Sequence, residues 1–276
     1  MEGMCMSERK TAFVTGASRG IGRAASIALA EAGYDIAMCA RTTTEGKTAD
    51  GRPLPGSLDS TEAEVTSKGT RALKLPMDLL DPQSVSNAIE TTISEWGPVD
   101  LLLNNGIYTG PGNMDFFLDV PEETIETIFR ANFLSQIQLI QRVLPEMLER
   151  KQGRIINMVS NAGLSDPPAP PDSGGWGYAY AASKAALHRL VGCLAVEHPD
   201  QGVAFFNLEP GFVMTEAMKL NDPDGKIAAL FPPAPPSVPA AAIAWLASDP
   251  EALTMSGDTI FAQPFSVERK LHPDWR

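Results

Sequence analysis

The sequence predicts a doubly wound α/β fold: one parallel sheet of about seven strands with helices on both faces. Two observations carry this expectation. Apolar runs of strand length alternate with helical patterns along most of the chain. The first of these runs opens through a glycine cluster directly into an Ala-rich stretch. Length sets the scale: 276 residues suit one large domain or two small ones, and 43% hydrophobic residues are enough for a sizeable core.

The elements follow in order. Residues Thr11–Thr15 read as the first strand, and the alanines after the glycine turn favour helix to about Ala32. Further strands are expected at Tyr34–Ala40, Ala72–Leu75, Val99–Leu103, Gly153–Ser160, Val203–Leu208 and Asp258–Ala262. Helical patterns fall near 82–96, 121–150, 179–197 and 237–248. Strand–helix alternation puts helices over both sheet faces, and right-handed crossovers then give the doubly wound order. Neither an internal repeat nor a linker interrupts the chain, so 1–276 is read as one domain. Its core is expected at about 9–262, with a tail at 263–276.

Three connections are long. Residues 42–60 are polar, with Gly and Pro; they read equally well as a binding wall or a surface insertion. Residues 161–177 carry four prolines and then Gly174-Gly-Trp-Gly177. Residues 221–236 carry five prolines and are expected to form a substrate lid.

A formal net charge of -12 argues against nucleic acid or an anionic membrane as partner. Cys5, Cys39 and Cys193 are scattered, with neither disulfide-framework nor metal spacing, so no metal is expected. Met1–Lys10 lacks an apolar core of signal type, and no apolar run reaches membrane-spanning length. A soluble cytoplasmic protein is the expectation.

The glycine cluster reads Thr15-Gly-Ala-Ser-Arg-Gly-Ile-Gly22. Strand, glycine turn and helix together form a dinucleotide-binding (Rossmann) unit. Gly16, Gly20 and Gly22 would let the backbone approach a pyrophosphate. Ser18, Arg19 and Ile21 lie in the same turn, and the helix N-terminus offers free N–H groups. An NAD site usually has a carboxylate at the end of the second strand, but here Ala40 is followed by Arg41. Arg41 and Arg19 suit a 2′-phosphate, so NADP(H) is expected over NAD(H).

Tyr180 and Lys184 stand four apart in an Ala-rich run and share one helical face. An ammonium beside a phenol favours phenolate, so Tyr180 is expected to titrate below about 10 and to exchange a proton near neutral pH. Tyr178 is the rival phenol, but Ala182 occupies its partner position. The three histidines show no ligand spacing.

With these motifs in place, the chain resembles the classical short-chain dehydrogenase/reductase family over roughly 9–262. The resemblance rests on Thr15 to Gly22, Asp78, Asn104-Asn105-Gly106, Asn132, Ser160, Tyr180 to Lys184, and Pro210-Gly211 followed by Val213 and Thr215. It implies that Tyr180 gives a proton to a substrate carbonyl, or takes one during oxidation. Lys184 would tune Tyr180 and hold ribose hydroxyls. Ser160 would hydrogen-bond the carbonyl oxygen, and Asn132 would hold a water joining Lys184 to solvent. Asp78 would meet the adenine amine, Asn105 and Gly106 the cofactor, and Pro210, Gly211, Val213 and Thr215 the nicotinamide. A homotetramer or homodimer is also implied.

Two departures stand out. The family's Asn-Asn-Ala-Gly is here Asn104-Asn105-Gly106-Ile107, and Ile tolerates positive φ poorly. The usual Val-Asp-Gly-Gly near the C-terminus is replaced by Phe261-Ala-Gln-Pro-Phe265. Ile107, Tyr108, Trp176 and Met218, with Leu220, Ile227, Leu230 and Phe231 of the lid, are candidate pocket residues for an apolar ketone or alcohol. The leading expectation is an NADPH-dependent carbonyl reductase. The alternatives are a catalytically silent NADP(H)-binding sensor or assembly protein and, less favoured, a nicotinamide-dependent dehydratase or epimerase.

Overall fold

The computed structural model describes residues 9–47, 52–222, 224–225, 228–229 and 233–275. Strands β1 (Thr11–Thr15), β2 (Asp35–Ala40), β5 (Ala72–Pro76), β6 (Leu101–Asn104), β7 (Gly153–Met158), β8 (Val203–Glu209) and β9 (Thr259–Phe261) form one seven-stranded sheet. Its order is β5-β2-β1-β6-β7-β8-β9, and every pairing is parallel. Every residue of β1, β2, β6 and β8 is buried, because helices cover both faces. Adjacent side chains leave a strand on opposite faces. Val14 thus packs with Leu29 of α1 (Gly20–Glu31) and Ile243 of α8 (Ser237–Ser248), while Phe13 packs in a second core. That core includes Ile89 of α3 (Pro82–Trp96), Val143 of α5 (Ser135–Arg150) and Val191 of α6 (Tyr178–Glu197). The order reverses between β1 and β6, which opens a crevice at their C-terminal ends.

The helix expected at 121–150 is present but not uniform. It divides into α4 (Glu122–Phe129), a π turn at Arg130–Leu134, and α5. Helices α2 (Leu58–Ser67), α7 (Glu216–Asn221) and α9 (Ala262–Glu268) were not anticipated. Within and beyond the 42–60 loop, β3 (Gly46–Lys47) pairs antiparallel with β4 (Pro53–Leu54), and α2 (Leu58–Ser67) follows. Only Leu58, Thr61 and Val65 of α2 are buried, so its apolar stripe is faint. Its stability rests on a Ser57–Ser60 capping box and on Thr61 Oγ1, which donates to the Ala17 carbonyl at 2.9 Å. The tail also folds. In α9 (Ala262–Glu268), Phe265 meets Trp245 edge-on at 5.2 Å, and Ser266 Oγ donates to the Val238 carbonyl.

Beyond α7 (Glu216–Asn221), Ala234 bridges back to Val213. Of the expected lid residues, Ile227, Leu230 and Phe231 lie outside the described residues. No described helix is long and apolar enough to cross a membrane.

Candidate active site

The glycine turn is shaped by positions that only glycine fills. Gly16 and Gly20 have φ of +69° and +56°. Gly22 is required for space: a Cβ there would lie 2.2 Å from the Gly16 carbonyl oxygen. Thr15 Oγ1 accepts from the backbone N–H groups of Asn105 and Gly106 at 2.9 and 2.8 Å, and Asn105 Nδ2 donates to the Thr15 carbonyl. The end of β6 is thereby tied to the turn. Gln136 Nε2 holds the Gly106 carbonyl from behind at 2.9 Å. Arg19, the N-cap of α1, makes no side-chain cap, and the first turn of α1 contains no acid. An acid from elsewhere stands at this helix end, where the Gly20 N–H donates to Glu216 Oε2 at 2.8 Å. A glycine cradle in front of a helix whose own sequence leaves its N-terminus uncapped fits a dinucleotide pyrophosphate.

One cavity of about 390 Å³ runs from this turn to Tyr180. Of the residues singled out in the sequence, Gly16, Ser18, Arg19, Gly20, Ile21, Arg41, Asp78, Asn105, Gly106, Ile107, Tyr108, Ser160, Tyr180, Lys184, Pro210, Gly211 and Thr215 line it. Six anticipated residues among those described do not. Gly22 acts through packing, and Val213 is buried in its bridge to Ala234. Trp176, Met218 and Leu220 are absent from the lining. Asn132, in the π turn, is 1% exposed and has both polar atoms engaged. Its Oδ1 accepts from Tyr108 N at 2.8 Å, and its Nδ2 donates to Ser183 Oγ at 3.1 Å. The side chain therefore braces the cavity wall against α6.

Arg19 donates to the carbonyls of Pro55 and Gly56, which ties the 42–60 loop to the glycine turn, and Thr42 is the residue of that loop in the cavity lining. Arg41 reaches Thr109 Oγ1 at 3.3 Å. Burial lowers the Arg19 pKa, and Arg41 pushes it the same way, whereas Glu216 and Glu45 oppose the shift. Asp78 Oδ1 accepts from Leu80 N at 3.0 Å, capping its own turn. Ile107 has none of the expected backbone difficulty. Among the described non-glycine residues, positive φ occurs at Lys151, Asp200 and Lys270, so the loop accommodates Ile107 in an ordinary conformation.

At the other end, β7 stops before Ser160, which caps a 3₁₀ turn at Asn161–Gly163 and accepts from Ala162 N at 3.2 Å. Tyr180 and Ser160 both line this end of the cavity. Lys184 is 2% exposed and donates to the Met158 carbonyl at 2.7 Å. The expected lowering of the Tyr180 pKa is corrected by the structure. Burial raises it, the Ser160 hydroxyl pulls it down, and the Glu209 charge raises it further. Burial also pushes Lys184 down to about 8. Helical spacing places the two groups together, but the low-dielectric surroundings dominate both titrations. Tyr178, the rival phenol, is 55% exposed and stacks edge-on with Phe117 outside the cavity.

Sequence reading missed Glu209, Gln263, Gln136 and Glu216. Each acts across long sequence separation and has no spacing signature; Gln263 of α9, for example, donates to the Pro210 and Phe212 carbonyls.

A family model described as short chain dehydrogenase matches residues 10–225. The chain is 30% identical over 210 residues to the 3-oxoacyl-[acyl-carrier-protein] reductase FabG of Staphylococcus epidermidis, covering 75% of this chain and 76% of the relative. It is 34% identical over 220 residues to a short chain dehydrogenase of Pseudocercospora fijiensis, covering 79% and 63%. Among solved structures, acetoin dehydrogenase from Enterobacter cloacae aligns with a TM-score of 0.71 and 29% identity over 92% of this chain and 93% of that one. A short-chain type dehydrogenase/reductase from Mycobacterium marinum aligns with a TM-score of 0.75 and 26% identity over 91% and 93%. Fold and site thus define an NAD(P)-dependent oxidoreductase acting on CH–OH or C=O groups. The chain belongs to the short-chain dehydrogenase/reductase family.

Proposed function

We propose that this enzyme reduces an apolar ketone to its alcohol, reversibly, with NADPH. The observation that carries the reading is that Ser160, Tyr180 and Lys184 line the same cavity as the glycine turn. A bound nicotinamide would supply the hydride. Tyr180 gives its phenolic proton to the carbonyl oxygen, and its raised pKa keeps that proton in place at neutral pH. Ser160 accepts from Ala162 N, which leaves its O–H to donate to the same oxygen as charge develops there. Lys184, once protonated, supplies a buried positive charge one helical turn from the phenol, and Asn132 braces the wall beside it. Arg19 and Arg41 would hold a 2′-phosphate, Asp78 the adenine amine, and Pro210, Gly211 and Thr215 the nicotinamide side. Apolar residues of the lining support an apolar substrate: Ile107, Met158 and Val159 line the same cavity as Ser160 and Tyr180. Assembly as a homodimer or homotetramer belongs to the same reading.

The test is a ketone panel followed at the NADPH absorbance band, with Tyr180→Phe as control. Wild type is expected to turn over apolar ketones in preference to small charged carbonyls. Tyr180→Phe should lose about 10³-fold or more in kcat while binding NADP+ within about threefold of wild type. Turnover retained by the phenylalanine variant would refute the assignment.

A further inference from the structure

The cavity contains a buried acid that the proposed proton transfer does not use. Glu209 is the last residue of β8 and is 9% exposed, and it lines the same wall as Ser160 and Tyr180. Its two oxygens serve two different segments. Oε2 accepts from Gly211 N at 2.9 Å, and Oε1 accepts from Asn161 N, directly after Ser160, at 3.4 Å. No ion pair involves Glu209 among those of the described residues. A buried carboxylate without a cation is tolerated only where N–H donors satisfy it. The Gly211 turn is held from its other side by Gln263, and a Cβ on Gly211 would lie 2.2 Å from Gln263 Nε2. Gln263 thus grips the carbonyls of this turn while Glu209 grips its amide.

We propose that Glu209 is a positioning residue whose charged carboxylate ties the Ser160 turn to the Gly211 turn and so sets Ser160 against Tyr180. This rests on the reading that Ser160 and Tyr180 act on the carbonyl. The charged groups lining the cavity are Arg19, Arg41 and Asp78 beside β1, β2 and β5, and Lys184 and Glu209 beside Tyr180. Of these, Glu209 raises the Tyr180 pKa. A clip that also carries charge predicts two linked effects on its removal: looser turns and an easier deprotonation of Tyr180.

The experiment compares Glu209→Gln and Glu209→Asp with wild type, using an alcohol from the substrate panel with NADP+. For Glu209→Gln, kcat should fall about 10-fold or more. The acidic limb of its oxidation pH profile should move down by about half a unit or more, because the removed charge no longer opposes phenolate. Glu209→Asp keeps the charge but cannot span both amides, so its kcat should fall while the limb stays at the wild-type position. Amide hydrogen exchange at Asn161 and Gly211, read without substrate, should speed up in both variants. A Glu209→Gln limb that does not move overturns the proposal, as does unchanged exchange in either variant. If Glu209→Gln does not fold, unchanged kcat and exchange in Glu209→Asp overturn it instead. The exchange arm needs no turnover, so it separates failure of the clip from failure of the carbonyl-reductase reading, which Tyr180→Phe tests.

Discussion

The two ends of the cavity are built by different means. At the glycine turn the backbone forms the binding surface, and its shape depends on three missing side chains, at Gly16, Gly20 and Gly22. At the Tyr180 end the surface is made of side chains brought together from separate elements: Ser160 after β7, Tyr180 and Lys184 on α6, and Glu209 on β8, with Gln263 of α9 behind them. One end is encoded within a single strand–turn–helix unit. The other is assembled by the sheet order. The first should therefore fail through sterics, and the second through charge and spacing.

The largest effect is expected from Gly22→Ala. Its new Cβ would lie 2.2 Å from the Gly16 carbonyl oxygen and 2.6 Å from Asn105 Nδ2, both parts of the packed turn. A loss of about 3 kcal/mol or more in stability is expected, together with loss of measurable NADP+ binding by titration calorimetry. A variant that melts and binds like wild type would break the steric account.

Lys184→Met probes the opposite end. Burial places the folded pKa of Lys184 at about 8, below the ordinary lysine value of about 10.4. Between those values the unfolded chain binds more protons than the folded one, so wild-type stability rises with pH across that window. The methionine variant lacks this gain. The stability difference, measured by denaturant unfolding without cofactor, should shift towards wild type by about 2–3 kcal/mol from pH 8 to pH 10. Turnover should fall about 100-fold throughout. A difference that is flat with pH would show that the ammonium is well solvated.

Arg41→Ala sharpens the cofactor side. Loss of a charge-assisted contact should raise KM for NADPH about 10-fold and leave KM for NADH within about twofold. Equal changes for both cofactors would remove Arg41 from 2′-phosphate recognition. The smallest effect is expected from Ile107→Gly, which restores the family's residue. Because Ile107 does not adopt positive φ, the change should cost no more than about 1 kcal/mol by thermal unfolding. Stabilisation would reveal strain at that position.

Much of this contrast was legible beforehand. The sheet strands could be read because apolar runs of strand length repeat between helical patterns, and the glycine turn because its spacing is local. Tyr180 and Lys184 could be paired because i and i+4 share a helical face. Helix α2 escaped notice because Thr61 occupies a core position where a periodic pattern has an apolar residue. Trp176 and Met218 suggested a pocket by composition, yet neither lines the cavity, since aromatic and apolar character does not specify direction.

The sequence by itself determined the sheet, the glycine turn and the Tyr180–Lys184 pairing, because each is written in spacings of a few residues. The tertiary structure decided how that pair titrates and what surrounds it. Burial depth, the Ser160 hydroxyl and the Glu209 charge set the direction of the Tyr180 pKa shift. These are properties of low-dielectric space shared by β7, β8 and α6, and distance along the chain carries no record of them.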